Sequence, residues 1–140
     1  MTNRKNGKFE FKNYPFNSTD LLTVQALAED RFNNIWVGTK NKGLLQFSPA
    51  TNTYVSFLSS EKLRELNADI RALTIDKQGS LWIGAYDGIY ILDRNKNIEK
   101  INNSNNNNGI DKVKSVFLDK KGSVWIGCYY KGVNLWDASN

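Results

Sequence analysis

The chain has 140 residues, 40% of them hydrophobic, and a net charge of +5 from 19 basic and 14 acidic side chains. This length suits one domain with a packed core, and no stretch approaches the ~18 consecutive apolar residues of a membrane span. Histidine is absent and Cys128 is the single cysteine, which excludes histidine-dependent catalysis, histidine metal sites and an internal disulfide within this chain.

The first 23 residues are predicted to hold one strand and a linker. Residues 1–7 have no apolar run behind their basic side chains, so they are not a signal peptide. The protein is therefore expected either to be cytosolic or to be exported by a segment outside this chain. Residues 7–11 match the pattern of the last strand of the repeats that follow, so we assign residues 7–23 to the fourth strand and linker of an offset repeat.

The dominant feature is a segment that occurs three times, at residues 24–38, 70–84 and 113–127. Each copy opens with a Val or Ile, reaches an Asp six residues later, and ends in Trp-Val/Ile-Gly. The tryptophans at positions 36, 82 and 125 lie 46 and then 43 residues apart. A period in the forties with a Trp-ended second strand is typical of a four-stranded β-propeller blade.

Each copy also predicts a tight turn after its first strand. Asp30, Asp76 and Asp119 are each followed three residues later by Asn or Gly. The carboxylate can accept hydrogen bonds from backbone N–H groups, and Asn and Gly tolerate a positive φ. We interpret these acids as structural; a catalytic or calcium-binding role is the alternative.

Strands two to four complete each predicted blade. The tryptophans are expected to pack between blades, the third strand opens at a Gly, and the fourth covers residues 53–57 and 97–101. Cys128 is interpreted as a small buried filler. The connector at residues 59–66 is predicted to form a short helical turn and the Asn tract at 102–108 a mobile loop.

The fold class is therefore all-β, with about three four-stranded antiparallel propeller blades in a single segment, residues 1–140. Blade limits are predicted at 24–66, 67–109 and 110–140, the last with three strands only. Closed propellers have 4–8 blades, so the chain is either part of a larger propeller or closes a ring with a second copy of itself.

The segments at 30–45, 76–89 and 119–133 resemble the two-component regulator propeller repeat. In that family the repeats build extracytoplasmic sensor domains of hybrid sensor histidine kinases, which typically carry many more blades and recognise glycan breakdown products. The resemblance implies a periplasmic, non-catalytic sensor that relays a signal to a kinase outside this chain.

In a propeller, the start of the innermost strand and the loop between the second and third strands open onto the same face. A ligand is predicted to bind at this face. The candidate residues at this end are Gln25, Arg71 and Lys114 on the strands, and Lys40, Tyr86, Asp87, Tyr129 and Tyr130 in the loops. Cations with tyrosines suit an acidic oligosaccharide, because Arg and Lys pair with carboxylate or sulfate and rings stack on sugar faces.

Two alternatives to this site stay open. Long polar side chains fill solvated rim positions in every propeller, so these residues could serve no ligand. A protein-interaction scaffold is the second function considered, favoured if the loop end is hydrophobic. We expect no catalytic residue, metal or cofactor, and no membrane contact from this chain. Nucleic acid is not expected as a partner either, because the net charge is mild and no dense basic stripe is present.

Overall fold

The computed structural model describes residues 4–16, 21–57, 69–101 and 110–139, and in these segments the regular structure is β-strand. None of the described residues belongs to a helix long and apolar enough to cross a membrane. The strands, in chain order, are β1 (Arg4–Lys5), β2 (Lys8–Phe9), β3 (Val24–Glu29), β4 (Ile35–Thr39), β5 (Leu44–Ser48), β6 (Thr53–Ser56), β7 (Ile70–Ile75), β8 (Leu81–Ala85), β9 (Gly88–Leu92), β10 (Ile98–Lys100), β11 (Val113–Leu118), β12 (Val124–Cys128) and β13 (Gly132–Trp136).

The three sequence repeats form three antiparallel sheets, which we call blades 1, 2 and 3. Their strand orders are β3-β4-β5-β6, β7-β8-β9-β10 and β11-β12-β13. The innermost strands lie side by side, since β3 contacts β7 and β7 contacts β11. The all-β, three-blade prediction is confirmed, and the sheets form an open row, not a closed ring.

The turn acids have the structural role that their spacing predicts. In blade 2, Asp76 Oδ1 accepts hydrogen bonds from the backbone N–H groups of Gln78 and Ser80, at 3.0 and 2.9 Å. Asp76 Oδ2 accepts one from the indole Nε1 of Trp82 at 2.9 Å, and Gly79 has a φ of 86°. Asp30 and Asp119 make the same three bonds in their own blades. The acid therefore anchors both its turn and the tryptophan of its blade.

The hydrophobic core lies between blades, as predicted for the tryptophans. Trp82 is 3% exposed and packs with Val113 and Val124 of blade 3. Trp36 is 8% exposed and packs with Ile70 of blade 2. Each of these rings is thus covered by the blade that follows its own.

A glycine two residues after each tryptophan sets the distance between blades. A Cβ placed on Gly38 would lie 2.7 Å from Ile70 Cγ2, and one on Gly84 would lie 2.7 Å from Val113 Cγ1. No real Cβ tolerates such a distance, so glycine is what lets the first residue of the next blade approach the sheet.

Lys8–Phe9 pairs with Arg4–Lys5 in a two-stranded sheet. The assignment of residues 7–23 to the fourth strand and linker of an offset blade remains a prediction. One expectation, the burial of Cys128, differs from the structure. Cys128 is partly exposed, whereas Thr39 and Ala85 at the same repeat position are fully buried. Burial still raises the pKa of the Cys128 thiol.

Other expectations have no structural outcome. The predicted helical turn at 59–66 and the Asn tract at 102–108 lie outside the described residues. The blade limits remain a prediction.

Candidate functional site

A β-bulge interrupts the innermost strand of every blade at the same repeat position. The pairing of β3 with β4 shifts between Val24 and Ala26, and the corresponding shifts in blades 2 and 3 fall around Arg71 and Lys114. A bulge leaves its extra residue unpaired and re-aims the side chain. Gln25, Arg71 and Lys114 are therefore released from the ladder together, at the end of the strands opposite the Asp turns.

The loops between second and third strands are fastened to this same end. The backbone N–H of Tyr86 donates to the carbonyl of Asp69 at 3.2 Å, and that of Tyr129 to the carbonyl of Lys112 at 3.0 Å. The N–H of Lys112 in turn donates to the carbonyl of Tyr86 at 2.7 Å, which joins blade 2 to blade 3. Loop tyrosines and bulge cations consequently meet.

Arg71 occupies the centre of this meeting point. Its guanidinium carbon lies 5.1 Å from the ring centroid of Tyr86 and 5.3 Å from that of Tyr129, within cation–π range. Its Nε and Nη2 both donate to Asp69 Oδ2, at 3.3 and 3.0 Å. The arginine is thus held between two rings from different blades and fixed from a third side by a carboxylate.

Two lysines extend the arrangement. Lys114 Nζ lies 5.4 Å from the Tyr129 ring centroid. Lys112 Nζ lies 6.0 Å from the ring of Tyr86 and 5.8 Å from that of Tyr130. We call the whole group the cation–tyrosine cluster; its members are Asp69, Arg71, Tyr86, Lys112, Lys114, Tyr129 and Tyr130. Three cations against one carboxylate leave the cluster net positive.

The pKa values of the cluster reflect this crowding of cations. Burial alone would raise the pKa of Asp69, but hydrogen bonds from Arg71 and Gln25, and the charges of Arg71 and Lys40, hold it below its usual value. A hydrogen bond from Lys114, and then its charge, lower the pKa of the Tyr129 phenol. The cluster therefore already stabilises negative charge within its own residues.

Gln25 and Lys40 reach the cluster from blade 1 through Asp69. Gln25 Nε2 donates to Asp69 Oδ1 at 2.7 Å and to the carbonyl of Ile70 at 2.9 Å. Lys40 acts on Asp69 through its charge. Asp69 thus links candidate residues of blades 1 and 2.

The structure places Asp87 outside this cluster. Its Oδ2 accepts hydrogen bonds from the hydroxyl of Tyr90 at 2.7 Å and from Lys100 Nζ at 3.1 Å, on the outer strands of blade 2. Its Oδ1 is buried and has no hydrogen-bond partner in the described part of the chain. Six of the eight candidates make contacts around Asp69 and the tyrosines, Lys40 acts on Asp69 through its charge, and Asp87 lies outside the cluster.

Sequence reasoning missed Asp69 and Lys112. Both directly precede the first residue of an innermost strand, so their shared repeat position was the available signal. Lys112 and Tyr130 also adopt left-handed backbone conformations, with φ of 48° and 65°. Such values are uncommon for long or bulky side chains and occur in turns and at binding sites. Across the segments described, no group of three acidic, Cys or His side chains could hold a metal ion.

The family model described as "Two component regulator propeller" matches residues 20–41 and 65–87, which include the first and second repeats. This chain carries two-component regulator propeller repeats. Histidine kinase P4 of Formosa agariphila is 41% identical to this chain over 120 residues. The matched region is 85% of this chain and 9% of the kinase.

Two solved structures of extracellular domains resemble this chain. The extracellular domain of a hybrid two-component system from B. thetaiotaomicron is 33% identical, with a TM-score of 0.63 over 80% of this chain and 14% of that one. The extracellular domain of a one-component system from the same organism is 26% identical, with a TM-score of 0.70 over 93% of this chain and 17% of that one. The chain thus spans less than a fifth of each relative, and its repeats are of the kind that builds sensor domains of two-component systems.

Proposed function

We propose that this chain is a non-catalytic ligand-sensing segment of a periplasmic two-component sensor, that it recognises an acidic oligosaccharide, and that it relays the signal to a kinase outside this chain. The observation that carries the ligand is Arg71, held between Tyr86 and Tyr129 and flanked by lysines. The extracellular domains that resemble the chain support the location, and the histidine kinase relative supports the output.

The chemistry of the cluster favours an anionic sugar. A guanidinium donates paired hydrogen bonds to a carboxylate or sulfate, and ammonium groups add charge without fixed geometry. The tyrosine rings offer flat apolar surfaces for sugar faces. Because Asp69 and two rings already fix Arg71, less side-chain entropy is lost when a ligand binds.

The scaffold alternative is less well supported by this end of the molecule. A protein-binding surface is enriched in aromatic residues and Arg but depleted in Lys. Arg71 and the tyrosines would suit such a surface, and the two lysines beside them, Lys112 and Lys114, favour an anionic ligand. An enzymatic role has the least support, since the chain has no histidine and Asp87 lies away from the cluster.

Calorimetric titration tests the ligand proposal. We would titrate the protein with a uronic-acid tetrasaccharide, a sulfated tetrasaccharide and a neutral one of equal length. Wild type is expected to bind at least one of the acidic sugars and not the neutral one. In the double variant Arg71→Ala/Lys114→Ala, the affinity is expected to fall about a hundredfold or more, since two charge-assisted hydrogen bonds of roughly 1.5–3 kcal/mol each are lost.

A matched control separates the site from the overall charge. Lys77→Ala/Lys120→Ala removes two exposed cations from the Asp turns at the opposite end of the strands, so its affinity should equal that of wild type. Circular dichroism checks that both double variants fold. Unchanged affinity in Arg71→Ala/Lys114→Ala would overturn the proposal.

A further inference from the structure

A cleft opens between blades 1 and 2 at the Asp-turn end of the strands, opposite the cation–tyrosine cluster. Its volume is about 510 Å³, within the roughly 300–1,000 Å³ of small-molecule sites. Trp36 and Phe57 of blade 1 line one side, and Ile75 and Leu92 of blade 2 line the other. We call it the blade 1–2 cleft. Both of its sides belong to sheet faces that the chain itself packs together.

One repeat position explains why this cleft is open. Trp136 ends β13, and its ring packs on Trp82 with centroids 5.2 Å apart, in the corresponding space between blades 2 and 3. Leu92 ends β9 at the same repeat position, because the two strand pairs share one register. A leucine is much smaller than a tryptophan. The blade 1–2 cleft therefore leaves beside Trp36 the space that an indole ring takes beside Trp82.

The blade 1 side of the cleft is an aromatic surface. The rings of Trp36 and Phe57 lie 4.7 Å apart between centroids, at an interplanar angle of 56°. The indole N–H of Trp36 already donates to Asp30 Oδ2 at 3.2 Å, so the ring needs no polar partner from a ligand. Aromatic rings favour tilted or offset contacts with centroids about 4.5–7 Å apart. A further aromatic ring in the cleft would extend this pair.

Three exposed cations line the cleft. They are Arg31, Arg94 and Lys96, and none of them forms an ion pair with another described residue. Lys96 Nζ lies 5.6 Å from the ring centroid of Phe57. Arg94 lies against Gly79, where a Cβ would come within 2.7 Å of its Nε. The two cations of the 93–97 turn are thus close to both the aromatic surface and the turn of their own blade.

The acids of the cleft are already engaged by hydrogen bonds. Asp30, Asp76 and Asp93 line it, and each accepts hydrogen bonds from two backbone N–H groups of its own turn. The second oxygen of each accepts a side-chain hydrogen bond, from an indole N–H for the first two and from the Asn97 amide for the third. The cations are therefore the charges left for a ligand, and they favour an anion.

We propose that the blade 1–2 cleft is a second ligand site, which binds a small aromatic carboxylate. The ring of the ligand packs on Trp36 and Phe57 and occupies the space that Leu92 leaves open. Its carboxylate accepts hydrogen bonds from Arg94 and Lys96, because a guanidinium pairs with a carboxylate through two donors and an ammonium adds charge. This site differs from the cation–tyrosine cluster in its position and in the apolar part of the ligand that it accepts.

Calorimetric titration with indole-3-acetate and its neutral analogue indole-3-acetamide tests this site. Wild type is expected to bind the acetate about tenfold or more tightly than the amide, since a charge-assisted hydrogen bond is lost with the charge. Arg94→Ala/Lys96→Ala should lower the affinity for the acetate about tenfold or more and leave that for the amide unchanged. Leu92→Trp should remove binding of both, because the new indole fills the cleft as Trp136 fills the space beside Trp82.

A matched control separates this site from the charge of the Asp-turn end. Lys120→Ala/Lys121→Ala removes two exposed cations of the blade 3 turn, which do not line the cleft, so it should bind like wild type. Circular dichroism checks folding. Arg94→Ala/Lys96→Ala replaces only exposed side chains and decides the question even if Leu92→Trp fails to fold.

Three results would overturn the proposal: no binding of indole-3-acetate to wild type, equal affinity for the two indoles, or unchanged affinity in Arg94→Ala/Lys96→Ala. Binding that appears only after residues 59–66 are replaced by a glycine–serine linker would also overturn it, since the chain's own connector would then be the occupant. The acidic-oligosaccharide proposal would survive each of these results, because its cluster lies at the opposite end of the strands.

Discussion

Replacing Asp76 by Ala removes the three hydrogen bonds that fix the turn between β7 and β8. Two of the lost donors are backbone N–H groups, and each such bond contributes roughly 0.5–1.5 kcal/mol. The third is the indole N–H of Trp82, a side chain 3% exposed, and an unsatisfied buried donor costs about 1–3 kcal/mol. One of the backbone groups is exposed and regains water, so we expect a loss of about 2–4 kcal/mol in the free energy of unfolding.

A loss of this size is readily measured. Small domains have an unfolding free energy of about 5–15 kcal/mol, and a urea slope of about 1–3 kcal/mol per molar converts the loss into a midpoint lower by about 1–2 M. Urea unfolding followed by tryptophan fluorescence and far-UV circular dichroism gives both the midpoint and the slope.

Asp93 provides the matched control for this prediction. It accepts hydrogen bonds from the backbone N–H groups of Asn95 and Asn97, both at 2.8 Å, in the same turn geometry but without an indole donor. Asp93→Ala should therefore destabilise the protein less than Asp76→Ala. Equal effects of the two substitutions, or a loss below about 0.5 kcal/mol for Asp76→Ala, would refute the structural role assigned to the repeat aspartates.

Three further predictions use the same unfolding assay. Trp82→Ala should cost about 3–5 kcal/mol and Trp125→Ala clearly less, because only the first ring is buried between blades; equal losses would contradict the packing described. Gly84→Ala should cost about 1–3 kcal/mol, because its Cβ collides with Val113, and an unchanged midpoint would show that the blades can separate freely. Asp69 and Asp119 have pKa values below their usual range, the first through Arg71 and Gln25 against the effect of burial, the second mainly through the Trp125 indole. Their stabilisation is therefore complete above the unfolded-state value of about 3.9 and is lost as the pH falls through the folded-state values, so the midpoint should be level from pH 7 to about 5 and fall below about pH 4; a midpoint that rises on acidification would contradict this.

The sequence predicted those parts of the fold that repeat. The spacing of Trp36, Trp82 and Trp125 predicted the three sheets and their packing, because the same residue types recur at the same positions of each blade. The Asp turns were predictable for the same reason. Gln25, Arg71 and Lys114 could also be grouped from the sequence, because each lies one residue after the first Val or Ile of its repeat.

What the sequence did not predict depends on contacts between blades. Asp69 joins the candidate site because Gln25 and Arg71 reach it from two different blades, and no single repeat contains that relation. Asp87 forms hydrogen bonds with Tyr90 and Lys100 on the outer strands. The residues of these strands vary between repeats, so the repeat pattern did not predict this contact. The exposure of Trp125 and Cys128 follows from their place at the end of the row, which the repeat pattern does not show.

The central claim is that the bulge end of the blades binds an acidic oligosaccharide. It is tested most directly by titrating isotope-labelled protein with a uronic-acid or sulfated tetrasaccharide and following backbone amide NMR shifts. The account predicts that the largest shifts fall on residues 69–71, 86, 112–114 and 129–130, with those near Gly79 and Gly122 in the Asp turns unchanged. Shifts concentrated at the Asp turns, or none with either sugar, would contradict it.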